Sequence, residues 1–164
     1  MAEHYVDNQR FLLEITEYQN ERKEAKENGI ESPPCPDYIG ECFLKIAQRL
    51  SFRPNFINYA FREDMISDGI ENCVQYMNNF NPEKSKNPFA YFTQIIYYAF
   101  VRRIQKEKKQ LYIKYKTMDS QASLGDNVEV SADDKQIYVY ETMTNDQKAI
   151  MDGCISNFEE AKWE

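Results

Sequence analysis

Apolar side chains recur at steps of three and four along most of this chain, and breaks rich in Pro or Asn cut that rhythm into segments. Over residues 5–28, Phe11, Leu12, Ile15 and Tyr18 share one helical stripe, with Asp7 or Asn8 as cap and Asn28-Gly29 as stop. Beyond Tyr18 the pattern is polar, which predicts a distal half projecting into solvent. Pro33, Pro34 and Pro36 then forbid helix and mark a linker. Residues 37–50 resume the period through Ile39, Phe43, Ile46, Ala47 and Leu50, with Asp37 as candidate cap. Pro54 interrupts it, and Phe56, Ile57, Tyr59 and Phe61 offer apolar contacts ahead of the next helix.

From about Glu63 to Phe80 the apolar stripe is Ile66, Gly69/Ile70, Cys73, Tyr76/Met77 and Phe80, a helical period with a polar opposite face. Pro82 and Pro88 bracket a short loop, after which helix resumes with Asn87 as cap and Pro88 at the first position, where a missing N–H costs nothing. This helix carries two stripes. Phe89, Phe92, Ile96, Ala99/Phe100 and Arg103/Ile104 suit a core. Tyr91, Gln94, Tyr98, Val101/Arg102, Gln105 and Lys109 suit a nucleic-acid face. Tyr stacks on unpaired bases, Gln pairs with an adenine edge, and Arg and Lys neutralise phosphates. After Lys116 the chain turns Ser/Asp-rich and reads as loop, with a weak helical pattern over residues 137–150.

Composition changes the picture mainly through charge. The chain of 164 residues carries a net −7, which argues against a polyanionic partner. The average conceals segregation: from Arg102 to Lys116 seven basic residues face one acid, so this segment is +6 and the rest of the chain −13. From Thr117 to Glu164 eleven acids against three lysines give −8, the composition of a docking segment or a disordered tail. Cys35, Cys42, Cys73 and Cys154 show no metal-ligand spacing, and the single histidine, His4, lies far from them. Free thiols in a reducing compartment are the expectation. No cofactor or metal is expected. No apolar run approaches the length of a membrane span, and MAEHYVDNQ lacks the pattern of a signal peptide, so a cytoplasmic protein is expected.

The helix pair carries a resemblance. DMISDG from Asp64 to Gly69, the amphipathic helix ending at Phe80, and FAYFTQII from Phe89 to Ile96 resemble the second conserved region of bacterial sigma factors. Lys86-Asn87-Pro88-Phe89-Ala90-Tyr91-Phe92-Thr93-Gln94 is similar to the same stretch in the late-transcription sigma factors of T-even-type bacteriophages. The likeness covers roughly residues 5 to 115 and does not clearly include the tail.

The resemblance implies roles for individual residues. The polar face of the first helix of the pair (Met65, Ser67, Asp68, Glu71, Asn72, Gln75) would dock on a coiled coil of the largest subunit of bacterial RNA polymerase. The second helix would receive the non-template single strand of a minus-ten-type promoter element. Tyr91 falls where the family stacks an aromatic on a flipped adenine. Gln94, Tyr98, Val101 and Arg102 fall on the strand- and duplex-contacting face, with Asn87, Thr93, Tyr97 and Gln105 beside them, and Lys106 and Lys109 on a backbone-contacting extension. Two departures qualify this. Gln94-Ile95 stands where housekeeping members carry tandem tryptophans that wedge the melted bubble, so weak melting and dependence on activators are expected, with Tyr97 or Tyr98 as substitute wedge. No helix-turn-helix module follows the basic run, which confines recognition to one short AT-rich element. In the phage members the extreme C-terminus binds the replication sliding clamp, a role that would fall to Ile155, Phe158 and Trp163.

The resulting expectation is an all-α protein of three parts. Residues 1–36 form a helix and linker, 37–116 a sigma region 2-like helical domain, and 117–164 a loosely structured acidic tail. Its function would be non-enzymatic: directing host core polymerase to late viral promoters in an infected bacterial cell, with a phage co-activator as further partner and no membrane association. The alternative is a co-activator or anti-sigma-like protein that binds polymerase without touching DNA. A metal-dependent nuclease built on Asp64 and Asp68 lacks a third ligand and a general base in the sequence.

Overall fold

The structure is a computed structural model, and it describes residues 5–124 and 145–161. It is all-α: α1 spans Asn8–Glu27, α2 Asp37–Ser51, α3 Arg62–Tyr76, α4 Pro88–Leu124 and α5 Asn145–Ala161, with a short 3₁₀ turn at Met77–Asn79. The chain divides into two compact units, residues 1–103 and 104–164, and α4 runs through the boundary. Trp163 and residues 125–144 lie outside the described residues. Among the described residues no helix is long and apolar enough to cross a membrane.

Local chemistry sets the helix ends. The Asp7 carboxylate accepts from the N–H groups of Gln9 (3.0 Å) and Arg10 (3.2 Å), capping α1. At its far end Gly29 takes φ +66°, the Ile30 N–H donates to the Ala25 carbonyl and the Gly29 N–H to that of Lys26. The left-handed φ at that turn favours glycine, since a Cβ would strain it. The Tyr18 hydroxyl donates to the Pro33 carbonyl at 2.9 Å, fastening the linker to α1. In α2 the expected cap is displaced by one residue: Pro36 takes the cap position without a side-chain bond, and Asp37 is the first helical residue.

The core of the first unit forms where the apolar stripes meet. Phe11 and Ile15 from α1, Ile39, Phe43 and Ile46 from α2, Met65 and Cys73 from α3, and Phe92, Ile96 and Phe100 from α4 are all buried. Phe43 and Phe92 stand 4.8 Å apart between ring centroids, and Phe11 packs on both. Each such side chain contributes about 1.5–3 kcal/mol through burial. The α3–α4 approach is close at Gly69, where an added Cβ would lie 3.0 Å from Ile96 Cγ2 and 3.2 Å from Phe100 Cε1. Phe56 joins this core, but Ile57 and Phe61 stay exposed, contrary to the contacts expected of them.

The second unit departs from the expected loop after Lys116. Helix α4 continues to Leu124 with Met118 buried on one side, while the hydroxyls of its last turns are satisfied within the helix: Thr117 Oγ1 donates to the Ile113 carbonyl (2.8 Å) and Ser120 Oγ to that of Lys116 (2.9 Å). Met118, Met151 and Ile155 are buried in this unit, so part of the acidic tail is ordered helix with an apolar side.

Candidate nucleic-acid interface

Helix α4 starts on a double cap. The Asn87 Oδ1 accepts from the Ala90 N–H (3.1 Å) and from Asn8 Nδ2 (3.2 Å), while Asn8 Oδ1 accepts from the Phe89 N–H (3.1 Å). The first residue of α1 thus fixes the origin of α4. The Thr93 hydroxyl bonds back to the Phe89 carbonyl at 2.6 Å.

From that origin α4 forms one wall of an open groove of about 610 Å³. Asn87, Phe89, Ala90, Thr93, Gln94, Tyr97 and Tyr98 line it from α4 and the preceding cap, and Leu50 and Arg53 from the end of α2 and the turn after it. Five residues expected on the DNA face (Asn87, Thr93, Gln94, Tyr97 and Tyr98) therefore meet in one depression. Tyr98 is 51% exposed and Tyr97 38%, their rings 5.8 Å apart, so both can receive a flat ligand. Tyr97 is braced edge-on by buried Phe56 at 5.7 Å. Arg53 lines the same groove and brings a cation to it. A cation beside stacking aromatics and an amide suits the phosphate, base face and base edge of a single strand.

The remaining face residues lie elsewhere. Successive helical residues are about 100° apart, so a stripe drawn through Tyr91, Gln94, Tyr98 and Arg102 straddles two neighbouring helices. Gln94 and Tyr98 turn toward α2, while Tyr91 and Arg102 turn toward α3. Tyr91 is half-buried, its ring 5.1 Å from Phe80 and 5.0 Å from Phe92, and burial pushes its phenol above the usual range. Arg102 Nη2 donates to Asn72 Oδ1 at 3.0 Å. Val101 is half-buried. In the second unit Gln105, Lys106 and Lys109 are exposed along α4.

The docking face expected on α3 is corrected at one position. Met65 is fully buried, because it falls on the core side of the helix, and it presents nothing to a partner. Ser67, Glu71 and Gln75 are exposed on the outer side, one turn apart. Asp68 and Asn72 are half-buried and engaged within the chain: Arg103 Nε lies 3.3 Å from Asp68 and its Nη2 3.6 Å from Asp64, and Asn72 Nδ2 donates to the Asp68 carbonyl at 2.7 Å. The Asp64 and Asp68 carboxylates thus converge on a guanidinium. Among the described residues no three His, Cys, Asp or Glu side chains gather as metal ligands would.

Two of the three expected clamp-binding residues are also used internally. Ile155 is buried, and Phe158 stacks on Tyr112. The free thiols include Cys42 and Cys73 in the buried core, where burial raises both above the usual thiol range and Cys73 the further.

Sequence reasoning missed Arg53 and Asn8. Neither lies on the periodic stripe of α4, and only the turn after α2 and the approach of α1 bring them there. No protein-family model and no curated protein matches the chain.

Proposed function

We propose that this protein is a sigma-type specificity subunit that directs bacterial core RNA polymerase to a short AT-rich promoter element and helps hold its non-template strand open. The observation that carries this reading is the groove in which Gln94, Tyr97 and Tyr98 meet Arg53. It combines stacking surface, an edge-reading amide and a phosphate partner, and it is built on the same stretch, KNPFAYFTQ, whose likeness to phage late sigma factors points the same way. The exposed Ser67, Glu71 and Gln75 of α3 supply an acid-and-amide patch for a basic partner helix. Lys106 and Lys109 contribute phosphate contacts. With Gln94-Ile95 in place of paired tryptophans, strand opening depends on negative supercoiling or a co-activator.

The test is reconstituted transcription with bacterial core polymerase on supercoiled and linear AT-rich templates, with and without a sliding clamp. Initiation at discrete sites, dependent on this protein and lowered by Tyr98→Ala and Arg53→Ala, supports the reading. Unchanged initiation in both variants overturns it in favour of a subunit that binds polymerase without contacting DNA.

A further inference from the structure

The second unit holds a contact unlike the other ring pairs among the described residues. The remaining aromatic pairs described meet at 40° to 90°, whereas Tyr112 and Phe158 lie face to face, 4.5 Å between centroids and 19° between planes. The next residue of α5, Glu159, places one carboxylate oxygen 2.8 Å from the Tyr112 hydroxyl, which donates to it, and 3.3 Å from Lys116 Nζ. That hydrogen-bonded carboxylate holds both the Tyr112 phenol and the Lys116 ammonium above their usual ranges. A flat ring stacked on a tyrosine, with an anion held by the tyrosine hydroxyl and by a lysine one turn further on, reproduces the two groups a nucleotide presents.

We propose that Tyr112 and Lys116 form a binding station for single-stranded nucleic acid, occupied in cis by Phe158 and Glu159 as a mimic of base and phosphate. Tyr112 stacks on a base and Lys116 pairs with its phosphate once α5 withdraws. Exposed Lys108 and Lys109, one turn earlier on α4, add phosphate partners, and Asp119 is the nearby acid that opposes them. The station extends the reading of α4 as a nucleic-acid helix and rests on it. It also assigns the acidic C-terminal helix a role: α5 carries four acids against one lysine and covers part of the most basic segment of the chain.

The experiment is fluorescence anisotropy of a labelled 12-nucleotide oligo(dT) with full-length variants at fixed low salt. Glu159→Gln keeps the side chain's size but releases Lys116 and loosens the seat of α5, and roughly fivefold to tenfold tighter binding is expected, the lower end of one base-stacking step. Glu160→Gln removes the same charge from an exposed neighbour and should change affinity less than about twofold by the same reasoning. Adding Tyr112→Ala to Glu159→Gln should erase the gain. Phe158→Ala should also tighten binding, but it removes packing from α5, so the glutamine pair carries the decision. A Glu159→Gln affinity no tighter than that of Glu160→Gln, or a gain that survives Tyr112→Ala, overturns the proposal. Transcription by Tyr98→Ala, which leaves α5 untouched, reports separately on the promoter reading.

Discussion

Arg103 reaches from α4 to Asp68 on α3, its Nε 3.3 Å from the carboxylate, and one residue earlier Arg102 donates to Asn72. One of these bonds, Arg102 to Asn72, joins a residue expected to face DNA to one expected to dock polymerase, across the α3–α4 contact. Removing Asp68 does more than alter a surface, because it strips a carboxylate from an arginine that is only 18% exposed. Asp68→Lys should thus lower stability by about 1–3 kcal/mol, less than the full cost of stripping a buried charge because Asp64 stays 3.6 Å from the guanidinium. Glu71→Lys, on the exposed face, should weaken polymerase binding with an unchanged melting temperature. A thermal melt paired with a polymerase pull-down separates the two; equal loss of stability in both variants would contradict this division of roles.

Gly69 sets the distance between α3 and α4. Gly69→Leu should destabilise by about 1–3 kcal/mol, because Ile96 and Phe100 leave no room for a branched side chain. Chemical denaturation measures it. Stability equal to that of the parent would mean that the helices separate freely.

Tyr98 and Tyr91 should part company in their effects. Tyr98→Ala removes an exposed ring, so the melting temperature should hold while promoter opening falls roughly tenfold, the worth of one base stack. Tyr91→Ala also removes a ring packed on Phe80 and Phe92, so stability and promoter opening should fall together. Permanganate footprinting of the melted strand and a thermal melt report the two quantities. A stability loss in Tyr98→Ala matching that of Tyr91→Ala would count against this placement of the two rings.

Asn8→Ala should cost about 1 kcal/mol although Asn8 lies 81 residues before Phe89, because the Phe89 N–H loses its acceptor. Hydrogen exchange at the start of α4 should accelerate in this variant, while exchange in α2 stays at the parent rate. Unchanged protection at Phe89 would show the contact to be unimportant.

Alkaline pH should unfold the protein. Burial, aided by the Cys42 contact, pushes the Tyr38 phenol up to about 12, and burial also raises Tyr5, Tyr18, Tyr91 and the core thiols. Raised acids bind more protons in the folded state than in the unfolded chain. Their contribution is therefore complete below the unfolded values, about 9 for thiols and 10 for phenols, and declines as pH rises above them. Denaturation midpoints should be flat from pH 7 to 8.5 and fall between about pH 9 and 12, less steeply in Tyr38→Phe. A midpoint that rises over that range would reverse the sign of the argument.

Much of this protein was fixed by its sequence alone. Stripes such as Ile39, Phe43, Ile46 and Leu50 specify which side of each helix is buried, because a 3.6-residue period permits only one such side. The breaks at Pro36, Pro54 and Pro88 specify where helices cannot continue, and the segregation of charge singles out α4. Periodicity does not reveal which neighbour an outer side chain meets. Tyr91 and Tyr98 share one stripe, yet packing turns the first onto Phe80 and leaves the second open beside Arg53. Ser/Asp-rich composition after Lys116 suggests a loop, but burial of Met118 favours helix there and the Thr117 and Ser120 hydroxyls are satisfied by i−4 carbonyls. The DMISDG stretch names Gly69, and only the approach of Ile96 and Phe100 explains why a side chain is crowded there. Local chemistry determined the helices and their inner faces. Tertiary packing decided which outer residues form a groove, which are spent on one another, and which part of the acidic tail is helix.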